Sequence, residues 1–467
     1  MHTKLLVGSL AAGTLLLSGC EMSDNNDNDT DDSSDNASAN LRVLHASGDA
    51  PAVNVYLDNA LTPAIDTLDF GEASAWAEVD AQTYDVDVFG ILPDLSDTAD
   101  AVISADLDLM DDMNYTVVAV NELASISAKV FADDGTTTDS SKVRVQVAHL
   151  TSGAPAVDVH VTAPTDALSA NTVLGTVSFS DTDTLGPVLV DADTYRIRIT
   201  AQNDASTVLY DSGEVSLAAG SDLFIGAIPN ESGIGDSPVT LAVLDGTDTT
   251  LLYDQDDGAA VRAVHNVSDV GEVDIFAAGD TTANLDVTDF SNGNATFADV
   301  TYEAVSNYAE VAAGDFDLAV STDNSSAAIS AEGVSVASGM SYSVFAMGTA
   351  SGADSAELEL VPYIDDRRDI ATGAKVRIIH GAADTADVDV YVTAGTDITN
   401  EDPAFVDVSY KADTGFVQLA AGTYYATVTP ADSKTIAIQA QLTVAAGDII
   451  TVWAQDGGDV VVRDDTP

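Results

Sequence analysis

One pattern returns four times along this chain and constrains its fold more than any other feature. LRVLHASGDAPAVNVYL from Leu41, VQVAHLTSGAPAVDVHV from Val145, VRAVHNVSDVGEVDIFA from Val261 and VRIIHGAADTADVDVYV from Val376 share one histidine: His45, His149, His265 or His380. Nine residues beyond it lies Asn54, Asp158, Asp274 or Asp389, and eleven beyond lies Tyr56, His160, Phe276 or Tyr391. The histidines are 104, 116 and 115 residues apart, each interval the length of a small domain. Self-similarity at that period means a series of like modules rather than one large core.

The match continues downstream. AQTYDVDV at 81, ADTYRIRI at 192, AGDFDLAV at 313 and AGTYYATV at 421 are small-residue turns that open a strand. Each copy closes on an acidic pair: Asp133-Asp134, Asp256-Asp257, Asp365-Asp366 and Asp464-Asp465. Within the copies the apolar period is two, as where Val53, Val55 and Leu57 alternate with Asn54, Tyr56 and Asp58. That alternation marks strands with one face inward. The expected fold is all-β: four tandem antiparallel β-sandwich (Ig-like) domains over 41–140, 141–258, 259–373 and 374–467, with a small barrel as the other arrangement.

The domain starts carry a resemblance. V-R-V-x-H-A-S-x-D-A-P-x-V-D-V-Y-V resembles the opening of the DUF4397 family, which is matched most closely by Leu41 to Leu57. The second copy keeps Ala154-Pro155-Ala156-Val157-Asp158-Val159 but has Gly153 at the loop Asp; the third and fourth lose the Pro. The resemblance implies extracytoplasmic bacterial β-domains of unknown function, often in tandem, and brings no catalytic residues with it.

The recurring histidine has two readings. With Asp49, Asp269 or Asp384 four residues on, it forms a dyad or part of a metal site. Neither candidate acid recurs throughout, since Gly153 and Asn54 interrupt the two series, and a zinc site needs three or four ligands. The structural reading places the ring on the inward face, where it donates an N–H to a loop carbonyl and ties the turn to the sheet. We take His45, His149, His265 and His380, with Asn54, Asp158, Asp274 and Asp389, as a repeated structural motif, with no catalytic and no metal site.

Arg42, Arg262 and Arg377, with Gln146 at the same slot in the second copy, share outer-face parity with the Asp or Asn of the next strand. If those strands pair, a cross-strand ion pair follows; a ligand-binding arginine is the alternative. Trp76 and Trp453 are candidates for stacking on sugars or for core and rim positions. Asp254-Gln255-Asp256-Asp257-Gly258 reads as a solvated acidic junction or, more sharply, as a calcium loop.

Residues 1–19 read as a signal peptide, with Lys4 ahead of an apolar run, Leu5 to Leu16, that is shorter than the about twenty residues of a membrane span. Leu17-Ser18-Gly19-Cys20 resembles the bacterial lipoprotein signal, which implies cleavage before Cys20 and a lipid on it. Cys20 is the single cysteine of the chain, so no internal disulfide framework exists. Residues 20–40 read as a disordered acidic tether, too poor in apolar side chains to repay the entropy of ordering. An Asp after the lipidated Cys would favour inner-membrane retention in such lipoproteins; here Glu21 follows, which leans towards the outer membrane.

The 77 acidic residues against 15 basic ones give 15 − 77 = −62, which argues against nucleic acid as a partner. Such a surface suits a protein from a high-salt source, where screening shortens the reach of the repulsion. The expected function is a non-enzymatic cell-envelope lipoprotein, structural, adhesive or interacting, tied to the membrane through its lipid and needing no cofactor. Its partner is a surface protein or a polysaccharide. The alternatives are a carbohydrate- or calcium-binding surface module and an extracytoplasmic hydrolase.

Overall fold

In a computed structural model of the chain, the period-two segments are strands, and no α-helix occurs among the described residues. The structure describes residues 37–136, 138–179, 184–279, 290, 294–350, 357–383 and 385–467. The signal segment 1–19, Cys20, most of the tether 20–40 and Asp384 lie outside them.

The first copy has eight strands: β1 Ser38–His45, β2 Val53–Leu57, β3 Ile65–Leu68, β4 Ala77–Asp80, β5 Thr83–Gly90, β6 Ile103–Asp108, β7 Asn114–Val120 and β8 Ser127–Asp133. They form two four-stranded sheets in the orders β4-β1-β7-β8 and β3-β2-β5-β6. The same two orders return over the other three repeated segments; the second adds a strand, Thr249–Leu252, at the edge of its first sheet. Every pairing is antiparallel except β1 with β7 and its three counterparts. A parallel pair needs a crossover, and the strands between β1 and β7 supply it.

The inward parity of β1 and β2 builds the sandwich core. Val43, Val53, Val55, Ile65, Leu68 and Val88 pack together in the first copy, and Val376, Ile378, Val388, Val390, Val428 and Val452 in the fourth.

The chain divides into two compact units, one of residues up to Asn230 with Ser237–Asp254, the other of Glu231–Asp236 with Gln255–Pro467. In the first unit the opposite parity of β1 is buried as well. Leu44, Val118, Val120 and Phe131 of the first copy pack on Leu150, Phe224, Ile228 and Leu244 of the second, with the Phe131 and Phe224 rings 5.5 Å apart. In the second unit Val264, Phe345, Met347 and Tyr363 of the third copy pack on Ile379 and Trp453 of the fourth; Phe345 and Trp453 meet edge to face at 5.5 Å. Each unit is therefore a pair of sandwiches joined face to face through their first sheets. Each aliphatic or aromatic side chain buried in such a seam contributes about 1.5–3 kcal/mol.

Candidate functional site

Two polar constellations recur in the copies: a histidine turn at the end of the first strand and an arginine seam on its opposite face. In β1, Leu41, Val43 and His45 point into the sandwich, and Arg42 and Leu44 into the seam. Alternation at a single strand thus delivers one side chain to each constellation.

His45 is fully buried. Its Nδ1 accepts the Ser47 N–H at 3.2 Å, so the ring proton sits on Nε2 and is donated to the Pro51 carbonyl at 3.0 Å. His149 does the same with Thr151 N–H (3.3 Å) and Pro155 O (3.2 Å), and His265 with Val267 N–H (3.3 Å) and Gly271 O (2.8 Å). His380 donates to Ala386 O at 3.2 Å, and its buried Nδ1 has no partner among the described residues. Each ring thereby clamps the loop that runs from the first strand to the second. Burial pushes the pKa of His265 and His380 down, because the protonated ring would be a charge cut off from water.

Each histidine also meets an aromatic ring edge-on: Phe70 at 6.4 Å, Phe179 at 6.3 Å, Tyr302 at 6.1 Å and Tyr410 at 6.0 Å. Sequence reading missed these four. They follow their histidines by 25, 30, 37 and 30 residues, so a fixed spacing never exposed them. The signal was there in the tetrapeptides LDFG, VSFS, VTYE and VSYK.

Two of the candidate dyad acids bind backbone N–H groups away from the imidazoles, while Asp384 lies outside the described residues. Asp49 accepts the Leu123 N–H at 2.6 Å and Asp269 the Ala350 N–H at 2.9 Å, so both fasten the loop after the seventh strand. Three of the second-strand residues hold the bulged third strand of their copy. Asn54, Asp274 and Asp389 accept the N–H of Thr67, Asp299 and Asp407 at 2.9, 2.8 and 3.1 Å. Those three residues have φ of 55°, 53° and 52°, a left-handed backbone that a neighbouring side-chain acceptor stabilises. Asp158 accepts the Thr176 hydroxyl at 2.6 Å and the Asn203 N–H at 2.7 Å.

The expected cross-strand pair between the first-strand Arg and the second-strand Asp does not form. β1 and β2 belong to opposite sheets, and so do their counterparts. The arginines point instead into the seams, where Arg262 and Arg377 reach acids of the neighbouring copy. Arg262 donates to Asp465 at 2.5 and 2.8 Å, and Arg377 to Asp365. In the first unit Arg144, two residues before the Gln146 slot, reaches Asp133. The closing acidic pairs of three copies thus supply seam carboxylates. Burial would lower the Arg262 pKa, yet its bonds to Asp465 and the charge of Asp365 raise it. Burial likewise opposes Asp465, whose pKa Arg262 holds below the usual carboxylate range.

Both tryptophans lie at the seams. Trp453 is buried, and the Trp76 ring lies 4.1 Å below the Arg42 guanidinium. At the acidic junction Asp254 accepts the Asp211 N–H at 2.6 Å, and the Asp257 carbonyl accepts the Ser338 hydroxyl at 2.9 Å. Among the described residues no group of three or more His, Cys, Asp or Glu side chains stands close enough to hold a metal ion. The space left between the two sheets of the first copy is about 60 Å³; it is lined by aliphatic residues such as Val43, Val55, Val88 and Val117, with His45 at its edge.

The family model described as "Domain of unknown function (DUF4397)" matches residues 39–160, 259–391 and 374–466. None of the curated proteins compared with the chain matches it. Among solved structures, one on alpha-glucan recognition by family 41 carbohydrate-binding modules from streptococcal virulence factors is similar at 11% identity and a TM-score of 0.16, covering 44% of this chain and 96% of that one. Another, a product complex of the multi-modular glycogen-degrading pneumococcal virulence factor SpuA, has 11% identity and a TM-score of 0.15, covering 87% of this chain and 38% of its own.

Proposed function

The chain belongs to the DUF4397 family of β-domains, and from that premise we propose that it is a non-enzymatic lipoprotein of the bacterial envelope. In this reading four tandem repeats hang from a lipid on Cys20 by the acidic segment that ends near residue 40. The repeats act as a structural or adhesive surface component, with the outer membrane as the favoured site.

One observation carries the reading: the polar residues that recur from copy to copy are engaged with the fold itself. The histidines bind backbone groups of their own turns, and Arg144, Arg262 and Arg377 bind carboxylates of a neighbouring copy. A general base needs a ring nitrogen open to substrate. Like modules in series suit multivalent contact, in which weak single affinities combine. The partner class is a surface protein or polysaccharide, and a surface this acidic works best in concentrated salt.

Labelling of cells with a palmitate analogue tests the anchor. The label is expected on the wild-type chain in the outer-membrane fraction and absent from Cys20→Ser, which is released in soluble form. Labelling that survives Cys20→Ser would overturn the anchor. Attachment of cells to surfaces tests the role: a deletion strain should attach less and recover with the wild-type chain. Unchanged attachment together with turnover of a substrate by the purified chain would overturn it.

A further inference from the structure

The first copy lacks a branched aliphatic side chain that the other three possess, and the register shows where. Along the parallel pairing His45 stands beside Ala119, His149 beside Ala227 and His265 beside Ala346. In the fourth copy Ala454, one residue past the pair of Ile379 with Trp453, continues the same register to His380. The next strand of the sheet places Leu241 opposite Ala227, Leu360 opposite Ala346 and Val460 opposite Ala454. Opposite Ala119 stands Ala128.

The substitution leaves a space. Between the two sheets of the first copy about 60 Å³ stays open, and Ala128 lines it. The matching space of the second copy is lined by Leu241 and measures about 10 Å³. The other walls correspond: Val43, Val55 and Val117 in the first copy, Val147, Val159 and Ile225 in the second. The fourth copy keeps about 80 Å³, but beside the loop residues Thr385 and Gly458. Where the others carry leucine or valine, the first copy has an open slot.

Shape and polarity narrow what can enter. The lining follows β1 from Leu41 to His45, four residue steps or about 13 Å. So small a volume drawn out over that length suits a straight chain better than a ring or a branched body. Ala105 of β6 and Ala128 of β8 both line the slot and both are exposed, so it opens to solvent between two edge strands. Inside, both nitrogens of His45 are engaged with its own turn, and an apolar space that offers water no partners stays dry. Outside, the exposed Ser104, Asp106 and Ser127 adjoin the two alanines and make a polar rim. The net charge of −62 repels an anionic head group there.

We propose that the first copy binds the alkyl end of a single-chain amphiphile with an uncharged head. The chain end lies between the sheets in the place of the missing side chain, and the head stays at the rim. The site is separate from the lipid anchor read at Cys20 and does not depend on it. Leu241 closes the equivalent space in the second copy, and Leu360 takes that position in the third, so the site belongs to the first.

Calorimetric titration of the full chain with decyl maltoside, kept below its micelle-forming concentration, tests this. The chain carries Cys20→Ser, so that no lipid of its own competes. Saturable binding at one site is expected, with none for maltose, which has the head without the chain. Ala128→Leu restores the side chain of the second and third copies and should weaken binding about tenfold or more, since about two methylene groups lose their place. The same variant should melt no lower than its parent. Should Ala128→Leu fail to fold, Ala105→Val at the facing edge replaces it. No saturable binding, equal binding of maltose, or binding that Ala128→Leu leaves unchanged would overturn the site. Self-association that Ala128→Leu abolishes, in a chain that binds no decyl maltoside, would give the slot to a side chain of a second copy and overturn it too.

Discussion

Arg262 and Asp465 meet across the seam of the second unit through two hydrogen bonds of 2.5 and 2.8 Å, and Arg377 returns the contact to Asp365. The exchange is reciprocal, third copy to fourth and fourth to third, so two related sheets face each other with arginine opposite acid. Both partners of each pair are nearly enclosed. Removing one partner leaves the other buried with only a more distant counter-charge: without Asp465, Arg262 keeps Asp365 at 3.8 Å. Asp465→Asn is expected to cost about 3–5 kcal/mol of stability, read as a lower urea midpoint for the full chain. A double variant, Arg262→Met with Asp465→Leu, should recover much of that loss.

Trp453 carries the apolar part of the same seam. It is 1% exposed and packs edge to face on Phe345. Trp453→Ala should cost about 3–5 kcal/mol through lost burial and the cavity left behind. Fluorescence-monitored unfolding of Trp453→Phe against wild type checks the direction, with Phe costing less than Ala.

Stability should depend on pH through the histidine turns. The folded pKa of His265 and His380 lies below the free value of about 6.5. The unfolded chain then binds protons more readily, so this contribution is complete above about pH 6.5 and is lost as pH falls through the lowered folded value. Urea midpoints should drop between about pH 7 and pH 5, above the range in which carboxylates titrate. His265→Asn should shrink that drop.

Much of this was legible in the sequence. The spacing of His45, His149, His265 and His380 exposed the repeats, and the alternation around Val53 and Val388 exposed the strands. The seam went unseen because the first strand was read as having one buried face. In LRVLHA the apolar residues Leu44 and Ala46 share the parity of Arg42, which is the mark of a strand buried on both faces. Arginine looked like surface; in a seam with a carboxylate opposite, it is interior. The aromatic partners of the histidines stayed hidden because the loops before them differ in length.

Asp389 holds two left-handed residues at once, Asp407 and Asp432, each at 3.1 Å. Asp389→Ala removes both acceptors and should cost about 1–3 kcal/mol, whereas Asp389→Asn keeps a carbonyl oxygen and should cost less. Thermal unfolding of the two variants side by side measures the difference.

The amides of Ser47, Thr151 and Val267 test most directly whether the recurring histidines serve the fold. Hydrogen exchange on the full chain should find all three protected, and His45→Ala, His149→Ala and His265→Ala should each expose the amide of its own copy while leaving the other two slow. Protection that survives in every variant, or one histidine whose loss abolishes turnover of a substrate without changing its turn, would contradict the account.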